Sequence, residues 1–254
     1  MRQWWKARPT AYDAGLAPEQ RWLFPGRSKP RPLTTRQFAR LFKQAAKAAW
    51  LRKTLSLHTG CPVIQLEEPQ IHMVPARGKP FGRLETTDLV KLFNNTVKGL
   101  RGKTEVWCHT CWGNPAQQGI FRNVQSYHPT LAALNEVDAD AITFETCSSG
   151  TGDLPAIGQV ITDKKVVIGV IDHHTLQIER PDQVADLIRE ALRHLAPERL
   201  IISSDCGMGR EGMSRRHAQY KMVAMVLGTN MVRKEVRIPE AECLAADHRY
   251  SLAL

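Results

Sequence analysis

The chain is predicted to be an α/β protein built on a parallel sheet, wound either as an open doubly wound sheet or as a barrel. From Gly60 onward, short apolar runs alternate with helical stretches, which is the pattern of βα units. Polar, metal-capable residues gather at the C-terminal end of every run, where α/β active sites form. A Gly-rich phosphate fingerprint is missing, which makes the dinucleotide-binding version of the fold the weaker choice.

Five strands are expected, at Pro62–Glu68, Glu105–Cys111, Ala141–Cys147, Val166–Asp172 and Arg199–Cys206, and Met222–Val232 is a sixth candidate. Their tips carry Glu67 and Glu68, then His109 and Cys111, then Glu145, then Asp172, His173 and His174, and last Asp205 and Cys206. The clearest helix runs from Pro181 to Leu195. Proline opens it, and Val184, Leu187, Ile188, Ala191, Leu192 and Leu195 form its buried stripe.

At 254 residues, with 43% hydrophobic and 24% charged residues, the chain can bury a large core, and disorder is excluded. No apolar run reaches the roughly 20 residues of a membrane-spanning helix, so no membrane partner is expected. The opening residues MRQWWKARPT lack the apolar core of a secretory signal. A cytoplasmic location is expected, with the six cysteines reduced.

Charge divides the chain near residues 59 and 60. Residues 1–59 carry a net +11 and residues 60–254 a net −1, and all six cysteines lie in the second part. Within the first part, a Pro/Gly-rich loop spans Trp22 to Pro32 and precedes a basic amphipathic helix. Thr34 or Thr35 caps that helix, Phe38, Leu41, Phe42, Ala45, Ala46 and Ala49 form its apolar face, and Arg36, Arg40, Lys43 and Lys47 form the wetter side. That side reads either as a solvated surface or as a phosphate-contacting one.

In an extended strand, residues two apart share a face, so His109 and Cys111 can offer an imidazole nitrogen and a thiolate to one ion while Cys108 faces away. The rival pairing is Cys108 with Cys111 as a CxxC unit, which needs a turn where Glu105–Val106–Trp107 favours a strand. Cys206 and Glu145 at neighbouring strand ends complete a set of N, S and O donors suited to tetrahedral zinc with a position open for substrate. Cys61, Cys147 and Cys243 read as buried structural cysteines. Trp112 either packs on a ligand ring or caps the apolar rim. The glycines of Cys206–Gly212 allow close backbone approach, and His72, His128, His194, His217 and His248 show no partner pattern.

The motifs GCPVIQLEEP, VWCHTCWGNP, DADAITFETCSSG, VVIGVIDHHT and ERLIISSDCGMGREG, in this order from Gly60 to about Glu235, resemble the C-terminal part of the cobalamin-independent methionine synthase family. The resemblance implies a zinc-dependent (βα)8 TIM-type barrel that transfers methyl from 5-methyltetrahydrofolate to the thiol of homocysteine or a similar small thiol. It implies that His109, Cys111, Glu145 and Cys206 hold zinc, that Glu67 meets the substrate amine, and that His174 is the general acid with Asp172 orienting it. The family usually has Asp where this chain has Glu67. Without the resemblance, Asp172–His173–His174 also reads as a helix-capping turn. About 195 residues follow Thr59, too few for eight βα units, so a partial barrel of five or six strands is expected.

The motif LFPGRSKPRPLTTRQFARLFKQAAKAAW followed by SLHT resembles the middle of a tyrosine recombinase (phage integrase) catalytic domain. His58 matches its His-x-x-Arg box, but Cys61 stands where Arg is required, and the nucleophilic Tyr has no counterpart. The resemblance implies weak, non-specific DNA binding by residues 1–59 and no strand cleavage.

Overall fold

A computed structural model describes residues 60–77, 84–113, 126–209 and 212–251. The basic segment, its expected helix and the recombinase-like motif lie outside the described residues.

Among the described residues, five strands form one fully parallel sheet in chain order: β1 Val63–Glu67, β2 Glu105–His109, β3 Ala141–Phe144, β4 Lys165–Gly169 and β5 Leu200–Ser203. A doubly wound sheet reverses its strand order at a switch point. This one does not, so it follows the winding of a barrel and forms part of one. Helices α1 Gln70–Arg77 and α2 Thr86–Val97 connect β1 to β2, α3 Leu131–Asn135 follows β2, and α4 Leu154–Val160 follows β3. Helix α5 Pro181–Leu192 follows β4, and α6 Arg215–Glu235 follows β5.

The two faces of the sheet differ in chemistry because side chains alternate along each strand. One face carries Val106, Cys108, Ile142, Phe144, Val166 and Ile168, all buried in the core. The register pairs Glu67 with His109, and His109 with Thr143, placing all three on the opposite, polar face. Lower on that face, Lys165 reaches across Ala141 to Glu105 at 3.1 Å, and the Trp107 indole N–H donates to the same carboxylate at 2.8 Å. A sheet with helices packed on both sides needs two apolar faces, whereas a barrel interior tolerates this polar one.

Met222–Val232 is not a strand but the middle of the 21-residue α6. Its buried residues, Val223, Ala224, Leu227, Gly228 and Val232, recur at helical spacing, and the Ser214 hydroxyl caps the helix by accepting the His217 N–H. A Cβ on Gly228 would stand 2.5 Å from the Pro181 carbonyl oxygen and 2.6 Å from Val184 Cβ. Only glycine lets α6 approach the first turn of α5 so closely. Helix α5 starts at Pro181 as expected and buries Val184, Ala185, Ile188 and Ala191. It ends at Leu192 rather than Leu195, because the chain turns there.

The ladders are also shorter than the apolar runs. They stop at His109, Phe144, Gly169 and Ser203, so Cys111, Glu145, Asp172–His174 and Asp205–Cys206 sit on the loops just beyond the strands. These loops are positioned by side-chain hydrogen bonds together with a few backbone bonds beyond the strand ends, such as that from the Asp205 N–H to Ile171 O.

Candidate metal centre

His109, Cys111 and Cys206 come together at the C-terminal edge of the sheet, with one donor atom from each within 4.8 Å of the others. His109 Nε2 lies 3.5 Å from Cys206 Sγ. Tetrahedral zinc with Zn–N and Zn–S bonds of about 2.05 and 2.3 Å sets these two donors about 3.6 Å apart. The opposite ring nitrogen, Nδ1, is 2.9 Å from the Thr143 hydroxyl, which also accepts the Thr110 N–H at 2.9 Å. With its proton on Nδ1 and donated to Thr143, the imidazole presents a bare Nε2 towards the sulfurs, as metal-binding histidines require.

The two thiols share a proton. Cys206 is held below the usual thiol range chiefly by its hydrogen bond from Cys111, and Cys111 is raised by the same contact. Cys111 lies two residues past the end of β2, so the rule of alternation within a strand does not place it. The buried His72 does, because its ring Nε2–H donates to the Cys111 carbonyl at 2.9 Å. Burial pushes the His72 imidazole down to about 3, so it stays neutral. Its ring meets Trp112 edge-on at 4.5 Å and lies 5.1 Å from Tyr127. Trp112 is therefore core packing and neither a ligand platform nor a rim cap. Cys108 lies fully buried on the apolar face, away from Cys111, whereas Cys61 and Cys147 are only half-buried and Cys243 is exposed, so the burial expected of these three is not found.

Glu145 stands next to the triad, in a second group with His173 and His174. Its Oε1 accepts the Trp112 N–H at 3.1 Å and lies 3.9 Å from His173 Nε2. Burial, with the nearby Asp205 charge, lifts its carboxyl to about 9. Glu67 is exposed on the polar face, in register with His109.

His173 and His174 lie ring to ring at 3.9 Å and are pushed in opposite directions. His174 Nδ1 faces Asp172 Oδ1 at 3.1 Å and Nε2 faces the Gly113 carbonyl at 3.2 Å, so both nitrogens have acceptors and the ring is raised above the ordinary histidine value, chiefly by Asp172. Burial lowers His173. Unlike environments of this kind divide two similar groups into an acid and a neutral partner.

Asp205 gained no role from the sequence beyond its place at a strand tip. Its buried carboxylate accepts three successive backbone N–H groups, from Thr146 at 3.0 Å, Cys147 at 3.0 Å and Ser148 at 2.7 Å. The loop bearing Glu145 is thereby tied to the residue before Cys206. A Cβ on Gly169 would stand 2.0 Å from Asp205 Oδ1, so β4 ends in glycine to admit that carboxylate. A Cβ on Gly207 or Gly209 would meet no protein atom within 4 Å.

The sequence matches the profile of the cobalamin-independent synthase catalytic domain over residues 28–229. That match begins inside the segment that resembles a recombinase, and the recombinase resemblance and DNA binding find no support in it. Methionine synthases of Saccharolobus islandicus and Saccharolobus solfataricus are 32% and 30% identical, each over 71% of this chain and 47% of their own length. The Thermococcus kodakarensis methionine synthase is 28% identical over 70% of this chain and 45% of its own. The chain thus spans about half the length of these relatives. Among solved structures, a B12-independent methionine synthase from Shewanella sp. W3-18-1 in complex with selenomethionine superposes with a TM-score of 0.57. It is 25% identical and covers 70% of this chain and 50% of that one. The profile spans most of the sequence and takes in every residue of the candidate centre: the chain belongs to the cobalamin-independent methionine synthase catalytic-domain family.

Proposed function

We propose that this chain holds zinc through His109, Cys111 and Cys206, with Glu145 as the fourth protein ligand, and transfers methyl from a methyl-folate donor such as 5-methyltetrahydrofolate to the thiol of homocysteine. The carrying observation is the imidazole–thiol–thiol triad, whose 3.5 Å nitrogen–sulfur edge suits one tetrahedral ion. Glu145 joins the set by releasing the Trp112 N–H and losing its proton.

When bound, zinc lowers the pKa of a coordinated thiol and so supplies a thiolate nucleophile at neutral pH. The protein supplies the rest. Glu67, exposed on the same face as His109, receives the substrate ammonium, its carboxylate standing where the family's shorter Asp stands. His174, whose protonated form Asp172 favours, gives its proton to the folate nitrogen as the carbon–nitrogen bond breaks and the methyl passes to sulfur. A tertiary amine leaves poorly without that proton. In the structure His174 Nε2 faces Gly113 O, and a donor nitrogen in the cleft takes that carbonyl's place.

We also read residues 1–59 and 60–254 as two parts of unlike charge. Among the described residues, no helix is long and apolar enough to cross a membrane.

The test is metal content. Purified protein is expected to hold about one zinc per chain, and Cys206→Ala to lose it while keeping its far-UV spectrum. A folded wild-type protein that takes up no zinc overturns the proposal. With zinc bound, methionine formation from homocysteine and methyl-folate tests the reaction itself.

A further inference from the structure

One fully buried charge has no part in the scheme above. Lys221, in the second turn of α6, is 0% exposed. Its ammonium donates to Glu179 Oε1 at 2.8 Å, to Glu179 Oε2 at 3.0 Å and to the Asp172 carbonyl at 3.0 Å. Glu179 Oε1 in turn accepts the Asp172 N–H at 2.9 Å. Both backbone polar groups of Asp172 are therefore held by one ion pair.

The Asp172 carboxylate accepts the His174 N–H at 2.6 Å and faces His174 Nδ1 at 3.1 Å. An open cleft of about 300 Å³ adjoins this stretch, lined among others by Cys147, Val170, Asp172, Gln177, Glu179 and Leu187. A buried ion pair is a poor source of stability, because desolvation of both charges offsets their attraction and an apolar replacement is often neutral or better. What apolar residues cannot do is capture a peptide N–H and its neighbouring C=O together.

We propose that Lys221 and Glu179 are positioning residues that fix the Asp172 backbone and so aim the Asp172–His174 dyad into the cleft. The functional half of this inference rests on His174 as the proton donor in the proposed methyl transfer. Its structural half does not.

The test compares zinc-loaded full-length wild type with the double variant Lys221→Met/Glu179→Leu and with Glu179→Gln, which keeps an acceptor oxygen. Three quantities are read: amide hydrogen exchange by fragment, the downfield proton resonance of the His174 ring N–H bound to Asp172, and the kcat and KM of methyl transfer. The double variant is expected to keep its zinc and melting temperature, to exchange at least about tenfold faster at residues 171–175 alone, and to lose the ring N–H resonance. Its kcat falls by about 10- to 100-fold with KM for the thiol unchanged. Glu179→Gln is expected to restore the protection and the resonance.

Wild-type exchange and resonance in a folded double variant overturn the inference. So does an exchange increase spread evenly through β4 and α6, or outright unfolding, since either marks the pair as merely structural. If the local loosening appears in a protein that transfers no methyl group even as wild type, the clamp stands and the methyl-transfer reading fails.

Discussion

Replacing Gly169 by alanine tests the geometry that joins β4 to the candidate centre. The added Cβ would stand 2.0 Å from Asp205 Oδ1, 2.5 Å from Asp205 Cα and 2.6 Å from Asp205 N. Two of these atoms are backbone, so no rotamer change relieves the clash. The strand ends must separate by about 1 Å, a shift of the kind that overpacking forces at a cost of about 1–3 kcal/mol. The separation strains two backbone hydrogen bonds, from the Val170 N–H to Ser203 O at 2.8 Å and from the Asp205 N–H to Ile171 O at 3.0 Å. Each contributes about 1 kcal/mol net. The sum is about 3–5 kcal/mol, which at about 2–4 °C per kcal/mol lowers the melting temperature by roughly 6–20 °C. Because Cys206 follows Asp205, zinc occupancy should fall along with stability. Differential scanning calorimetry gives the first quantity and metal analysis of the folded fraction the second. A Gly169→Ala protein melting within about 1 °C of wild type, with full zinc, would refute the claim that Asp205 fills the space above Gly169.

Two further predictions concern proton traffic. His174→Asn should retain zinc and slow methyl transfer by about 10²–10⁴-fold. Asp172→Asn should lower the His174 pKa measured by NMR, since Asp172 is the main cause of its rise. The stability that this contact adds is complete below the ordinary histidine pKa and is lost as pH rises through the raised value, so the variant should differ from wild type most in acid and least in base. Glu145, raised to about 9 in the metal-free protein, is protonated when folded and ionised when unfolded at neutral pH. Metal-free stability therefore falls as pH climbs from about 4.5 towards 9, by about 3 kcal/mol at pH 7, and Glu145→Gln should flatten that slope in urea titrations. Zinc uptake should release protons, which calorimetry in buffers of different ionisation enthalpy measures directly.

The candidate site was readable in the sequence to the extent that its parts sit at the ends of apolar runs. The runs around Val106, Ile142 and Val166 are apolar because they cover the buried face of a parallel sheet, and His109, Glu145 and Asp172 follow them because loops at that edge meet the cleft. The apolar stretch Met222–Val232 was ambiguous. It is short of charges and rich in residues that suit either a strand or a buried helix, and its helical character shows only when the burial of Val223, Leu227 and Val232 is seen.

Local pattern by itself therefore established the parallel α/β architecture, the strand tips that carry chemistry, and the starting point of α5 at Pro181. Tertiary structure decided how those tips meet. His109 and Cys206 are 97 positions apart, and their 3.5 Å approach depends on strand register and on the Asp205 and Gly169 contact. Cys111 is held by His72, Asp172 by Glu179 and Lys221, and the Glu145 loop by Asp205. All but the Asp172–Glu179 bond, which spans seven residues, are hydrogen bonds made across the fold, between residues whose own neighbours in the chain carry no sign of it. Periodicity records which face a residue buries; it does not record which distant side chain that face meets.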